Sequence, residues 1–211
     1  TEATIDSYVA RVLADGPALV GISTYSIEAT KHFARKLKEA DPNVFVVAGG
    51  QVCDPGFYGY NLAWSGAIDL VVHGEGEGPL KDIIDTLESG SRDFSHIQGL
   101  LVPHGAGGVE DTGLRAPIAK IADVGCPSFE HLPMDYYTSM LAPPYEPSRS
   151  VSTLMARGCV RKCDFCLQAE IWRNFRYRTA EDIYEEMAAM VKRYDLTSYH
   201  FNDLLINGNV K

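Results

Sequence analysis

The sequence predicts an α/β protein: a parallel, doubly wound sheet, followed by one further strand–helix–strand unit. Three observations point there. Short apolar runs alternate with amphipathic stretches of helical period in the N-terminal part. A small or glycine-rich loop follows each of the first three apolar runs. After a Pro/Gly-rich stretch comes another apolar run, and three cysteines lie directly behind it.

Residues 4–14 read as a helix, with Ile5, Tyr8, Val9, Val12 and Leu13 at i, i+3, i+4, i+7 and i+8. Asp15-Gly16-Pro17 stops it. Residues 18–24 form a short apolar run read as a buried strand. A second helix spans 28–40, with Ala29, Phe33, Leu37 and Ala40 on one face, ended by Asp41-Pro42. Residues 44–50 are a second buried strand, closing on Gly49-Gly50. Residues 68–72 are a third, running into His73-Gly74-Glu75-Gly76-Glu77-Gly78. Pro79 opens a helix with Leu80, Ile83, Ile84 and Leu87 on its face. Residues 99–103 are a fourth strand, expected at an edge because Pro103 cannot donate to a ladder.

In open parallel sheets, ligands sit beyond the carboxyl ends of the strands. Three loops occupy those ends here: Ser23-Thr24, Gly49-Gly50, and His73 to Gly78. Glycine in such a loop either turns the chain or lets backbone approach a large ligand. Three such loops together favour a ligand.

Residues 104–150 are rich in Gly and Pro and read as irregular surface chain. The expected division is an α/β domain over 1–125, a linker over 126–150 and a second domain from 151. Aromatics between Phe129 and Tyr145 suit packing against the second domain better than a substrate cleft. Cys53 and Cys126 read as small buried residues.

The run Val151 to Ala156 reads as a strand, and Arg157-Gly158-Cys159-Val160-Arg161-Lys162-Cys163-Asp164-Phe165-Cys166 follows it. Three thiolates at C-x3-C-x2-C spacing on one loop can hold three irons of a 4Fe-4S cluster and leave the fourth open. Arg157, Arg161 and Lys162 favour the thiolate forms. Structural zinc would need a fourth ligand, and no second cysteine pair is present. A disulfide would leave one of three close cysteines unpaired. Trp172 to Arg178 is a basic, aromatic connector. Thr179 to Asp182 has the form of a capping box before a helix burying Ile183, Met187, Met190, Val191 and Tyr194. Residues 198–206 are the second strand of this part, running out at Asn207-Gly208.

The 211 residues carry a net charge of −9, which excludes nucleic-acid binding by bulk electrostatics. Residues 151–178 oppose this trend, with six Arg or Lys against Asp164 and Glu170. No apolar run reaches membrane-spanning length and no signal peptide is visible. Clustered free thiols suggest a reducing compartment, so a cytoplasmic location is expected.

The decapeptide 157–166 resembles the cluster loop of radical S-adenosylmethionine (SAM) enzymes. The resemblance implies that Cys159, Cys163 and Cys166 ligate a 4Fe-4S cluster, that SAM chelates the open iron, and that Phe165 packs near its adenine. The acidic end of the second strand, Asp203, would face SAM, with Asn202 and Asn207 as weaker candidates. Taken together, "VGIS", "VAGG" and "VVHGEGE" ahead of such a loop are similar to the cobalamin-binding-domain radical SAM family. That resemblance spans nearly the whole chain. It implies a flavodoxin-like domain gripping the cobalamin nucleotide tail through Ser23, Thr24, Gly49, Gly50, Gly74 and Glu75, then the start of a partial TIM barrel, with the chain truncated at both ends. The Asp-x-His-x-x-Gly signature for a histidine on cobalt is absent: Asp54 and Gly59 are there, but Gly56 stands in the histidine position. His73 should lie beside the tail rather than beneath the corrin.

The family's chemistry, by the same resemblance, is SAM cleavage to a 5′-deoxyadenosyl radical, with methyl transfer from methylcobalamin to an unactivated carbon or phosphorus. It implies a small-molecule substrate and an electron donor such as a flavodoxin or ferredoxin. The 211 residues alone are expected to be inactive. Oxidative cyclisation competes within the family. A non-catalytic iron–sulfur carrier or metal-binding module is the rival from another class. A methylthiotransferase would need a second cysteine trio, and only Cys53 and Cys126 lie upstream.

Overall fold

The computed structural model describes residues 2–132, 134, 149–161, 163–166, 168, 172, 174–206 and 208, without the side chains of residues 2, 3 and 106. Glu170, Lys162, Arg173, Asn207 and most of the aromatic stretch ending at Tyr145 therefore lie outside the described residues. The chain divides into two compact units, Thr1–Pro117 and Ile118–Lys211.

Unit 1 contains α1 (Glu2–Leu13), β1 (Leu19–Ser23), α2 (Ile27–Ala40), β2 (Phe45–Gly49), α3 (Gly59–Ala63), β3 (Leu70–Val72), α4 (Glu77–Glu88), β4 (Leu100–Pro103) and β5 (Val109–Asp111). The five strands form one sheet in the order β1-β2-β3-β4-β5. β1, β2 and β3 are parallel, with Ser23 opposite Gly49 and Ala48 opposite Val71. β4 and β5 are antiparallel additions. This corrects the expectation of a wholly parallel sheet with residues 99–103 at its edge. Pro103 lies opposite Val109 at the far end of an interior strand, and the edge is β5, inside the stretch read as irregular.

Helices cover both faces. Val20, Val46, Ala48, Val71 and Leu101 point into one core with Val9 of α1, Ala34 and Leu37 of α2, and Leu62 and Ala63 of α3. Phe45, Val47, Leu70, Val72 and Leu100 point the other way, onto Ile83 of α4 and onto Phe94 and Ile97. Because both faces are buried, β2 and β3 are apolar at nearly every position rather than at alternate ones. α2 buries Thr30, Ala34 and Leu37, so its inner stripe is turned away from Ala29 and Ala40. α4 starts at Glu77 and buries Pro79, Ile83 and Thr86, leaving Leu80 and Ile84 exposed.

The stretch 51–63, unassigned from sequence, is a 3-10 turn leading into α3. Asp54 organises it by accepting from the N–H of Gly56 at 2.9 Å. Gly59 is obligatory: a Cβ there would sit 2.3 Å from the Cys53 carbonyl oxygen and 2.8 Å from Leu101 Cδ1. The Asp54 and Gly59 of the partial signature thus have a local structural role. Gly59→Ala is expected to cost about 3 kcal/mol through overpacking against backbone. Urea denaturation followed by circular dichroism measures it, and an unshifted midpoint would contradict the packing described. Cys53 is fully buried, as expected. Burial pushes its thiol up to about 11, with a Thr24 hydrogen bond offsetting part of the effect, so it stays protonated.

Unit 2 contains β6 (Ser150–Thr153), β7 (Ala156–Arg157), β8 (Arg176–Tyr177), α5 (Ala180–Tyr194) and β9 (Ser198–Phe201). β6 and β9 pair in parallel, Ser150 opposite Ser198 through Thr153 opposite Phe201. β7 and β8 pair antiparallel. The single strand expected over 151–156 is therefore broken at Leu154-Met155, and the strand expected over 198–206 ends at Phe201. The capping box is present as read: Thr179 Oγ1 accepts from the Asp182 N–H at 3.1 Å, and Asp182 accepts from the Thr179 N–H at 3.2 Å. Val151, Met190 and Leu196 form the core of this unit, with Phe129 and Tyr194 packed edge to face at 5.7 Å. Val191 is exposed, against expectation, and the charged Glu186 is buried instead. Cys126 is also exposed rather than buried, on the irregular chain after a 3-10 turn.

Candidate functional site

In unit 1 the carboxyl ends of the three parallel strands lie side by side. The Thr24 N–H donates to the Gly49 carbonyl at 2.7 Å, which fastens the first two loops together. Gly50 takes φ +110, and a Cβ there would lie 3.1 Å from the Thr24 carbonyl oxygen. Ser23 is exposed at the strand end, whereas Thr24 is 2% exposed, with its hydroxyl turned toward Cys53. Thr24 therefore offers only backbone to a ligand at these strand ends.

The third loop follows β3. Gly74 is exposed with φ +77, and Glu75 is half-buried. His73 is 2% exposed, and its N–H is bound to the Gly99 carbonyl. Its Nε2 lies 3.2 Å from Asp111 Oδ1, without hydrogen-bond alignment. The ring is thus turned into the protein, and His73 has only backbone to offer at this strand end. Residues 114 and 115 cross this loop. Leu114 Cδ1 is 3.3 Å from where a Gly74 Cβ would be, and the Arg115 guanidinium is 2.9 Å from the same point at Gly78. Part of the glycine content of 74–78 therefore makes room for the chain itself.

In unit 2, Gly158 holds φ +83, and a Cβ there would lie 2.4 Å from the Asn174 carbonyl oxygen. With the β7–β8 ladder, that contact closes residues 158–175 into a loop with a fixed base. Cys159 and Cys166 are half-buried and Cys163 is exposed. The Arg161 N–H points at Cys159 Sγ at 3.4 Å, and the Cys166 N–H donates to the Cys163 carbonyl at 2.9 Å, closing a turn. Phe165 is 89% exposed. Among the described residues no three His, Cys, Asp or Glu side chains are arranged to hold a metal ion, so the loop carries the three thiols without gathering them into a closed ligand set.

Asp203 stands just beyond β9. Its carboxylate accepts from the Met155 N–H at 3.2 Å and from the Ala156 N–H. Asn202 is exposed and continues the ladder through its N–H to the Thr153 carbonyl.

Sequence reading missed a buried ion pair between α5 and the residue that follows β8. Glu186 accepts from Thr153 Oγ1 at 2.7 Å and pairs with Arg178 at 2.8 Å. Arg178 also donates to the carbonyls of Leu154 and Asp182. The signal was available: Glu186 lies within the apolar stripe of α5, between Ile183 and Met190. The pair borders a cavity of about 380 Å³ that Cys126, Phe129, Thr153 and Arg157 also line. Arg157 stacks over Trp172 at 5.9 Å.

No protein-family profile matches the chain. An uncharacterized methyltransferase of Pyrococcus horikoshii is 29% identical over 192 residues, which cover 89% of this chain and 39% of that protein. The anaerobic magnesium-protoporphyrin IX monomethyl ester cyclase of Rubrivivax gelatinosus is 28% identical over 189 residues, 85% of this chain and 32% of that one. The chain thus spans about a third of the length of these relatives. Among solved structures, the radical SAM methyltransferase TsrM of Kitasatospora setae, with cobalamin and a 4Fe-4S cluster bound, superposes with a TM-score of 0.65 at 17% identity. That match covers 96% of this chain and 40% of TsrM. The cobalamin-dependent SAM radical enzyme OxsB, with aqua-cobalamin and SAM bound, gives 0.71 at 16% identity, over 97% of this chain and 28% of OxsB. The chain therefore resembles cobalamin-dependent radical SAM enzymes over nearly its whole length, and its α/β fold is theirs. No helix among the described residues is long and apolar enough to cross a membrane.

Proposed function

We propose that this chain is the cobalamin-binding domain and the opening of the SAM-binding domain of a radical SAM enzyme that transfers a methyl group to an unactivated carbon or phosphorus of a small molecule. Residues 1–125 form the first part and residues 151–211 the second, with 126–150 between them. The observation that carries the reading is the C-x3-C-x2-C loop closed at its base by the β7–β8 ladder, on a strand–helix–strand unit that follows a sheet with three small-residue strand ends. An oxidative cyclisation is the second reading, and the similarity to the protoporphyrin ester cyclases favours it.

The donor set fits the group. Three thiols within eight residues suit a 4Fe-4S cluster with one open iron, and Cys159, Cys163 and Cys166 would hold it. Ser23, the backbone of Thr24, Gly49, Gly50, Gly74 and Glu75 would hold cobalamin across the carboxyl ends of β1, β2 and β3. When bound, these groups supply the one-electron and methyl-carrier chemistry. The protein's own part is placement. Gly158 and the β7–β8 ladder set the loop, and exposed Phe165 offers a ring face for the SAM adenine. The reading also requires an external electron donor, a flavodoxin or ferredoxin.

The test is anaerobic reconstitution of the full-length enzyme. It should take up about four irons per chain, bind cobalamin with a change in its visible spectrum, and release 5′-deoxyadenosine from SAM under reduction. Uptake of one zinc with no iron would overturn the reading. Methylated product distinguishes methyl transfer from cyclisation.

A further inference from the structure

Breaking the strand between β6 and β7 leaves Leu154 and Met155 outside both ladders, and the backbone groups there and at the start of β7 need other partners. Two other elements fill them. From the residue that follows β8, the Arg178 N–H donates to the Met155 carbonyl at 2.9 Å, and its guanidinium donates to the Leu154 carbonyl. From beyond β9, the Asp203 carboxylate takes the consecutive N–H groups of Met155 and Ala156. Residues three and four positions before Cys159 are therefore gripped by a charged acceptor, the stronger kind of hydrogen bond.

We propose that Asp203 is a positioning residue of the cysteine loop: by accepting from Met155 and Ala156 it fixes the direction in which β7, and Cys159 after it, leaves β6. The functional consequence rests on the reading of 157–166 as a cluster loop. The anchoring itself is a property of the metal-free chain. The carboxylate at the end of the second strand thereby serves the loop rather than standing free for a ligand. An amide at this position keeps one acceptor oxygen but turns an NH2 toward a backbone donor, so Asp203→Asn should loosen the entry without changing its volume.

The experiment is hydrogen–deuterium exchange on the metal-free, full-length protein, followed by iron analysis after reconstitution. In Asp203→Asn, peptides spanning 153–158 should exchange about tenfold faster or more, while peptides of β1 to β5 keep the wild-type rate. Bound iron should fall in the same variant. Asp203→Glu, which keeps both acceptors, should recover part of each. Wild-type exchange at 153–158 in Asp203→Asn would overturn the proposal. So would full iron content with only SAM affinity lost, which would make Asp203 a SAM contact. If Asp203→Asn fails to fold, faster exchange at 153–158 in Asp203→Glu than in wild type supports the anchor, and an unchanged rate refutes it. A wild-type protein that takes up no iron would refute the proposed function, and the exchange measurement would still decide the anchor.

Discussion

Alanine at any one of Cys159, Cys163 or Cys166 is expected to abolish SAM cleavage by the reconstituted full-length enzyme and to remove most of its iron. On the proposed reading each thiolate would hold one iron, so losing any one of them removes a ligand from the set. Cys53→Ala and Cys126→Ala should keep wild-type iron and cleavage. Cys53 lies in the core of unit 1 with a thiol that stays protonated. Cys126 belongs to the wall of the unit 2 cavity, where desolvation also raises its pKa, against ligation. Iron analysis, visible absorption and 5′-deoxyadenosine release check all five variants. A loop variant with wild-type iron and cleavage would remove that cysteine from the ligand set.

The second large effect is on stability. Glu186→Ala should destabilise unit 2 by about 3–5 kcal/mol, because it leaves the Arg178 guanidinium buried without its counter-charge. The side chains of the pair are 6% and 11% exposed, so solvent cannot compensate. The double replacement Glu186→Leu with Arg178→Met should recover most of that loss, since an apolar pair of similar volume avoids desolvating two charges. The double variant should still exchange faster at 153–158, because the Arg178 side-chain bond to the Leu154 carbonyl is gone. Denaturant midpoints and exchange rates separate the two effects. A single variant with wild-type stability would contradict the buried ion pair.

Much of unit 1 was legible from periodicity. Continuous apolar runs at 18–24 and 44–50 gave β1 and β2, since strands covered on both faces have no polar side to alternate. Helical spacing gave α1, α2 and α4. The inner stripes of α2 and α4 were misplaced by about one position because hydrophobicity ranked Ala29 and Leu80 above Thr30 and Pro79. Packing against the sheet decides which face turns inward, and a threonine can occupy it when its hydroxyl is satisfied. β5 was missed because its three residues, Val109–Asp111, carry a polar, exposed pattern. α3 was missed because its five residues are too few to show a period.

By itself, the sequence determined the chemistry on offer. The thiol spacing, the glycines at three strand ends and the capping box are local in the chain, so local rules can read them. Tertiary structure alone decided partners distant in sequence. It brought Asp203 to the amides of Met155 and Ala156, Glu186 to Thr153, and Arg115 across Gly78. It also turned β4 antiparallel and filled the space under His73 with Asp111. These contacts join residues far apart along the chain, and no local pattern encodes them, because each depends on which faces two separate elements bury against one another.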